Sequence, residues 1–334
     1  MSQTVTLIRG DGIGPEIADA TLRVLEASGA KIDWEERVAG EAAVRSHGAP
    51  LPPETVDSIR VNGLALKGPL ATPVGGGYRS VNVAIRQELD LFANVRPVRS
   101  FQGVASRYQN IDLVVVRENT QGLYSGIEFY TDRQKNSAQA ISLVTRMASE
   151  RVIRYAFEHC RRHQRKRLTV VHKANILKFT TGLFLEVAKD LAREYPDVEL
   201  EDRIVDSMAM QLVLKPERFE VIVTTNLFGD ILSDLTAGLV GGLGLAPSEN
   251  IGEHVVVFEP VHGTAPDIAG KGVANPTALI LSACMLLRRL GYLSASQALE
   301  KSIARVLAEG KVTTPDLGGS ASTSQYASAL IANL

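Results

Sequence analysis

The sequence predicts an α/β fold: two domains with mixed and parallel sheet and no Rossmann motif. Three observations carry this. Short apolar runs alternate with amphipathic stretches along most of the 334 residues, the pattern that strand and crossover helix leave in a sequence. A length of 334 residues suits two domains with ample core. A composition of 45% hydrophobic and 22% charged residues is that of an ordinary globular protein.

The elements follow in order. Residues 4–8 form a strand, then "GDGIGPE" leads into a helix from about Glu16 to Ser28. "GLALKGPL" gives a buried strand, and Val81, Ile85 and Leu89, four apart, bury one side of a helix that Ser80 is placed to start. "DLVVVREN", "RLTVVHKAN", "VELEDRIVD" and "FEVIVTTN" supply further strands, with helices over 147–163 and 180–194 and along "LFGDILSDLTAGL". The longest apolar run, "ALILSACMLL" over 278–287, is too short to span a bilayer and suits a core helix. "RSFQGVASRYQN" (99–110) and "SENIGEHV" (248–255) are where the chain changes domain.

Several function classes recede at this level. A net charge of -1 gives no reason to expect nucleic acid or a membrane surface as partner. Cys160 and Cys284 lie far apart without CxxC spacing, which fits buried, inert thiols in a reducing compartment. The N-terminus "MSQTVTLIRG" carries no secretion pattern, so a cytoplasmic location is expected. Two glycine loops fail their familiar readings. "GDGIGPE" has Pro15 where the dinucleotide fingerprint needs its third glycine, and "APDIAGKG" has Ala265 and Gly272 where a Walker A loop needs Gly and Ser or Thr.

Chemistry concentrates in a few stretches. Ser80, Asn82 and Arg86 sit at a helix start, where free N–H groups and the dipole favour an anion, and Arg96 follows in the next segment. The plainer alternative is an N-cap and a solvated face. Asp230 and Asp234 are one helical turn apart, just after the strand "VIV". Carboxylates at the carboxyl end of an α/β sheet suit Mg²⁺ or Mn²⁺, and Asp206, ending "RIVD", could join them from another segment or chain. Lys173 ends a strand and Tyr124 follows strand-end Arg117; near a metal both could relay protons, because positive charge lowers their pKa values.

Together "GDGIGPEI", "RSVNVAIRQELDL", "NVRPV", "RENTQGLYSGIE", "HKANI", "TNLFGDILSDL", "GGLGLAPSENIG", "EPVHGTAPDIAGKGVANPTALILS" and "TPDLGG" resemble the metal-dependent β-decarboxylating dehydrogenases of malate-type acids. Within the isocitrate/isopropylmalate dehydrogenase family the resemblance is to the NAD-dependent isocitrate enzymes, from about residue 4 to the end. It implies a cofactor domain of residues 1–98 and 255–334, and a domain of 99–254 carrying the metal site and dimer interface.

The resemblance further implies that Arg86, Arg96 and Arg117 grip substrate carboxylates, as forked guanidiniums do well. Ser80 and Asn82 would then favour isocitrate, where isopropylmalate enzymes present apolar groups. The metal falls to Asp230 and Asp234 of one subunit and Asp206 of its neighbour, with Lys173 also crossing a homodimer interface to complete a composite site. Lys173 would relay the C2 hydroxyl proton and Tyr124 would protonate the enolate. His262 and Gly263 begin the adenosine loop, Asp267 and Ile268 select NAD over NADP, Asn275 reads adenine, and Leu70 and Thr72 flank the nicotinamide. Gln121 stands where many relatives have an acid. Two alternatives remain: homoisocitrate as substrate, and a non-catalytic regulatory subunit of a hetero-oligomer.

Overall fold

The computed structural model describes residues 3–73 and 78–334. The chain forms two compact units: residues 1–89, 99–109 and 237–334 make the first, and 90–98 with 110–236 the second.

The first unit opens with β1 (Gln3–Ile8), α1 (Gly14–Ala27), β2 (Ile32–Arg37), α2 (Glu41–His47), α3 (Pro53–Asn62), β3 (Leu64–Lys67) and α4 (Val81–Glu88). The chain continues through β4 (Ala93–Arg99), β5 (Asp112–Glu118), β6 (Glu128–Tyr130), β7 (Ala138–Ala140), α5 (Arg146–Arg162), β8 (Arg167–His172), α6 (Thr180–Leu191), β9 (Glu199–Ile204), α7 (Val205–Leu214), β10 (Val221–Thr224) and α8 (Asn226–Leu239). It ends with β11 (Pro247–Ile251), β12 (Val256–Pro260), α9 (Thr277–Arg289), α10 (Leu293–Glu309) and α11 (Thr323–Ile331).

In the first unit the strand order is β2-β1-β3-β12-β11, parallel except where β11 runs against β12. Register sets the chemistry here. Ile8 pairs with Lys67 and Leu66 with Phe258, so Lys67 and Glu259 end adjacent strands side by side. The run "ALILSACMLL" belongs to α9, which is buried on nearly every face, as a helix apolar all round must be.

In the second unit the order is β4-β5-β10-β8-β9, with β5, β10, β8 and β9 parallel. Of these, β5 and β10 are near-continuous apolar runs, the signature of strands covered on both faces. Thr224 pairs with Arg117 and with Val171, and His172 with Ile204. The carboxyl ends of four strands therefore bring out Arg117, Asn226, Lys173 and Asp206, where open α/β sheets place ligands. One expectation fails locally: Asp206 does not end a strand but lies in the first turn of α7, because β9 stops at Ile204. The basic run from Arg161 to Arg167 is held on the unit's own acids, Arg161 on Asp197, Arg165 on Asp112 and Arg167 on Glu199.

Both cysteines are buried, and burial pushes each thiol up to about 12, so both stay protonated and unreactive. No helix among the described residues is long and apolar enough to cross a membrane.

Candidate active site

In the first unit, Ser80 caps α4. Its Oγ accepts from the Val83 N–H at 3.5 Å and from the Thr72 hydroxyl at 3.1 Å, so the plain capping role is real. Asn82 points its Oδ1 at Lys67 Nζ, 3.0 Å away. That ammonium, 2% exposed, spends its three protons on Asn82, the Gly68 carbonyl and Glu259. Glu259 in turn accepts from Lys67 at 2.6 Å, Arg86 Nη2 at 3.0 Å and Asn250 Nδ2 at 2.8 Å. Burial alone would raise this carboxyl, but Lys67 and Arg86 outweigh it and hold Glu259 well below the ordinary carboxylate range. Arg86 Nε is buried and has no hydrogen-bond partner among the described residues. Two positive side chains thus share one carboxylate, leaving a spare donor and a spare positive charge.

The same unit holds a cavity of about 650 Å³ lined by Ile13, Gly244, His262, Ile268, Asn275 and Asp316, among others. His262 Nδ1 lies 2.9 Å from the Gly263 carbonyl, which can only accept, so Nδ1 carries the proton. Burial lowers the His262 pKa and keeps the ring neutral, so Nε2, buried and without a partner among the described residues, is a waiting acceptor. Asn275 is already engaged. Its Oδ1 takes the N–H and hydroxyl of Thr277, and its Nδ2 donates to Asp316 at 2.9 Å. Gly244 packs close beside this pair, where a Cβ would sit 2.9 Å from Asp316 Oδ2. Asp267 is exposed, and Leu70 is buried while Thr72 is exposed. A neutral acceptor imidazole beside an apolar, glycine-edged cavity fits the ribose and base of a dinucleotide.

In the second unit, Arg117 is 1% exposed and pairs with Asp230, while its Nε and Nη2 reach Asn226 Oδ1 at 3.0 and 2.7 Å. Gly229 makes room for it, because a Cβ there would meet Arg117 Cγ at 2.5 Å. Arg96 donates to Asn94 Oδ1 and to Ser233 Oγ, each at 2.5 Å, and lies 3.5 Å from Asp234 and 3.6 Å from Asp230. The Tyr124 hydroxyl donates to Asp230 Oδ2 at 2.6 Å. Burial, then the bond to Asp230, raises the Tyr124 pKa and outweighs Arg117. Burial also raises Asp234, against the pull of Arg96.

Lys173 and Asp206 form an ion pair with each other, and Lys173 holds the Asp206 carboxyl below its usual range. Asp206 does not join Asp230 and Asp234: no group of three metal-ligating side chains occurs among the described residues. The pair Asp230 and Asp234 offers hard oxygen donors that suit Mg²⁺ or Mn²⁺ and need further oxygens to complete a shell. Sequence reasoning missed Lys67, Glu259, Asn226 and Asp316. A lone Lys in "LALK" and a lone Glu in "VVFEP" were the available signal, since charge inside a buried strand requires a partner.

The isocitrate/isopropylmalate dehydrogenase family model matches residues 4–330. The chain belongs to that family. The fold is that of the crystal structure of isocitrate dehydrogenase from Methylococcus capsulatus, with TM-score 0.97 and 54% identity over 99% of both chains. NAD isocitrate dehydrogenase catalytic subunit 5 of Arabidopsis thaliana is 47% identical, covering 99% of this chain and 88% of that protein. The 3-isopropylmalate dehydrogenase of Archaeoglobus fulgidus is also 47% identical, covering 97% of each. The family is one of oxidative decarboxylating dehydrogenases, and overall identity does not choose among its substrates.

Proposed function

We propose that the chain oxidises isocitrate to 2-oxoglutarate and CO₂ with reduction of NAD, using Mg²⁺ or Mn²⁺, as a homodimer with composite active sites. The observation that carries this reading is the polar start of α4, where Ser80 and Asn82 sit beside Arg86. An isopropyl tail would strand those donors in a dry site, whereas a carboxylate satisfies them.

When bound, NAD would supply the hydride acceptor and the divalent cation a Lewis acid. The chain's residues do the rest. Arg86, Arg96 and Arg117 hold substrate carboxylates, and Asp230 with Asp234 hold the cation. Lys173, reaching across from the second copy, relays the C2 hydroxyl proton. After the β-keto acid loses CO₂, Tyr124 gives its proton to C3 of the enolate. A phenol kept protonated by burial and by Asp230 is ready to donate at neutral pH. Because Asp206 does not join Asp230 and Asp234 within the chain, the third acid of the metal site is assigned to Asp206 of a second copy.

His262 Nε2, as acceptor, is assigned to a ribose hydroxyl. Gly263, Ile268 and Asn275 are assigned to the adenosine, and Leu70 and Thr72 to the nicotinamide end. Asp267 is assigned to reject a 2′-phosphate by like charge. The test is NADH formation by the purified chain with Mg²⁺, comparing isocitrate, homoisocitrate and 3-isopropylmalate under NAD and NADP. Preference for isocitrate with NAD is expected. Preference for another acid overturns the α4 assignment, and absence of turnover with all three favours a regulatory subunit.

A further inference from the structure

The "GDGIG" loop, which fails as a dinucleotide fingerprint, is packed more tightly against its neighbours than a connector needs. Asp11 is 5% exposed. Its backbone N–H donates to the Pro69 carbonyl at 2.7 Å, and its Oδ2 accepts from the Ala71 N–H at 2.9 Å, so it grips both sides of Leu70. Its Oδ1 accepts from the Glu41 N–H at 3.0 Å and ties down the start of α2. Two residues on, Ile13 N–H donates to the Thr264 carbonyl at 3.0 Å. That carbonyl precedes Ala265, held at φ 39°, and lies between His262 and Asp267.

The glycines confirm how close these strands of chain run. A Cβ on Gly10 would collide with the Pro69 carbonyl, one on Gly68 or Gly14 with the Arg9 carbonyl, and one on Gly12 with the Thr264 carbonyl. Gly10 and Gly12 also adopt φ of 87° and 59°, which side chains rarely tolerate. One five-residue loop is thus wedged between residues 68–71 and residue 264.

We propose that the Gly10–Gly14 loop is a brace coupling the nicotinamide-end segment to the adenosine loop, with Asp11 as its positioning residue. The inference rests on the assignment of those two segments to NAD. The brace fixes their separation before the dinucleotide arrives, so the cost of ordering two loops is not charged to binding. Asp11 is suited because a carboxylate accepts at both oxygens, whereas an amide would present N–H to N–H at one of them.

The test uses the full-length Asp11→Asn variant, with NADH and AMP binding measured directly alongside steady-state kinetics. Loss of one charge-assisted bond in a buried bracket should weaken NADH binding and raise KM for NAD by about tenfold. AMP, which occupies one end only, and the KM for the acid substrate should change by less than about twofold, since neither spans the brace. Equal weakening of AMP and NADH, or a loss of thermal stability with KM for NAD unchanged, would overturn the proposal. A second measurement needs no variant. Hydrogen exchange on the unaltered chain with AMP should slow at residues 262–268 and also at 68–72; slowing at 262–268 alone would refute the coupling. If the unaltered chain binds neither NADH nor AMP, the cofactor reading itself fails, and the brace with it.

Discussion

Glu259 in the first unit and Asp230 in the second both serve arginines, but from opposite positions. Glu259 is sealed in, its side chain 7% exposed, and gives its oxygens to Lys67, Arg86 and Asn250. Around Asp230 the arginines are sealed in and the acids are open: Arg117 and Arg96 have side chains 1% and 6% exposed, against 38% and 55% for Asp230 and Asp234. A buried acid fully spent on its own chain shapes a site. An open acid backed by buried bases can still take a ligand. The difference separates framework from chemistry without reference to any relative.

The largest effect should follow from the open acid. On the proposed metal role of Asp230, Asp230→Asn removes a donor worth several kcal/mol of transition-state stabilisation, so kcat should fall by about 10³-fold. Arg117 keeps Asn226 as acceptor, so the melting temperature should move far less than in the next variant. A large loss of stability with modest loss of kcat would break the comparison.

Glu259→Gln should do the reverse. It leaves Lys67 and Arg86 buried without a counter-charge, a loss of about 3–5 kcal/mol in urea unfolding at neutral pH. The Glu259 pKa is lowered on folding, so its contribution is complete above the ordinary carboxylate value of 4.5 and fades as pH falls below it. The stability gap between the unaltered chain and the variant should therefore narrow below about pH 4.5; a gap constant with pH would show that Glu259 acts through shape alone.

These two acids also mark what the sequence could show. The spacing of Asp230 and Asp234 after an apolar strand was visible because helical period and strand end are local features. The family motifs exposed the rest of the assigned residues for the same reason: each is a short contiguous run. Glu259 and Lys67 escaped because their meaning lies in register, Leu66 beside Phe258, and register between strands nearly two hundred residues apart is not written locally. Asp206 was misplaced by one element because "RIVD" has strand composition up to the residue where α7 begins.

Asp267 sharpens the comparison, since it is an exposed acid in the first unit. If exposure rather than location marks the acids that meet ligands, Asp267→Asn should leave stability within about 0.5 kcal/mol, as surface changes do. Its effect should appear in specificity instead. Removing like charge worth a few kcal/mol should cut the preference for NAD over NADP in kcat/KM by about 10²-fold. An unchanged preference would place the discrimination elsewhere in the cavity, with Ile268 the next residue to alter.

The smallest expected effect tests burial where no ligand is involved. His159 on α5 is 6% exposed, its ring 4.2 Å from that of His163 and tilted by 31°, and faced by Arg162 and Arg165. Burial, then these neighbours, lowers its pKa from 6.5 to about 3. The unfolded chain takes up a proton as pH falls through 6.5 while the folded chain does not, so stability must drop on that side. By pH 5 the loss should be about 2 kcal/mol from this one group. His159→Leu should remove that slope between pH 7 and 5 without touching kcat. A slope undiminished in the variant would mean that another buried group, such as His262, carries the pH response and that His159 does not.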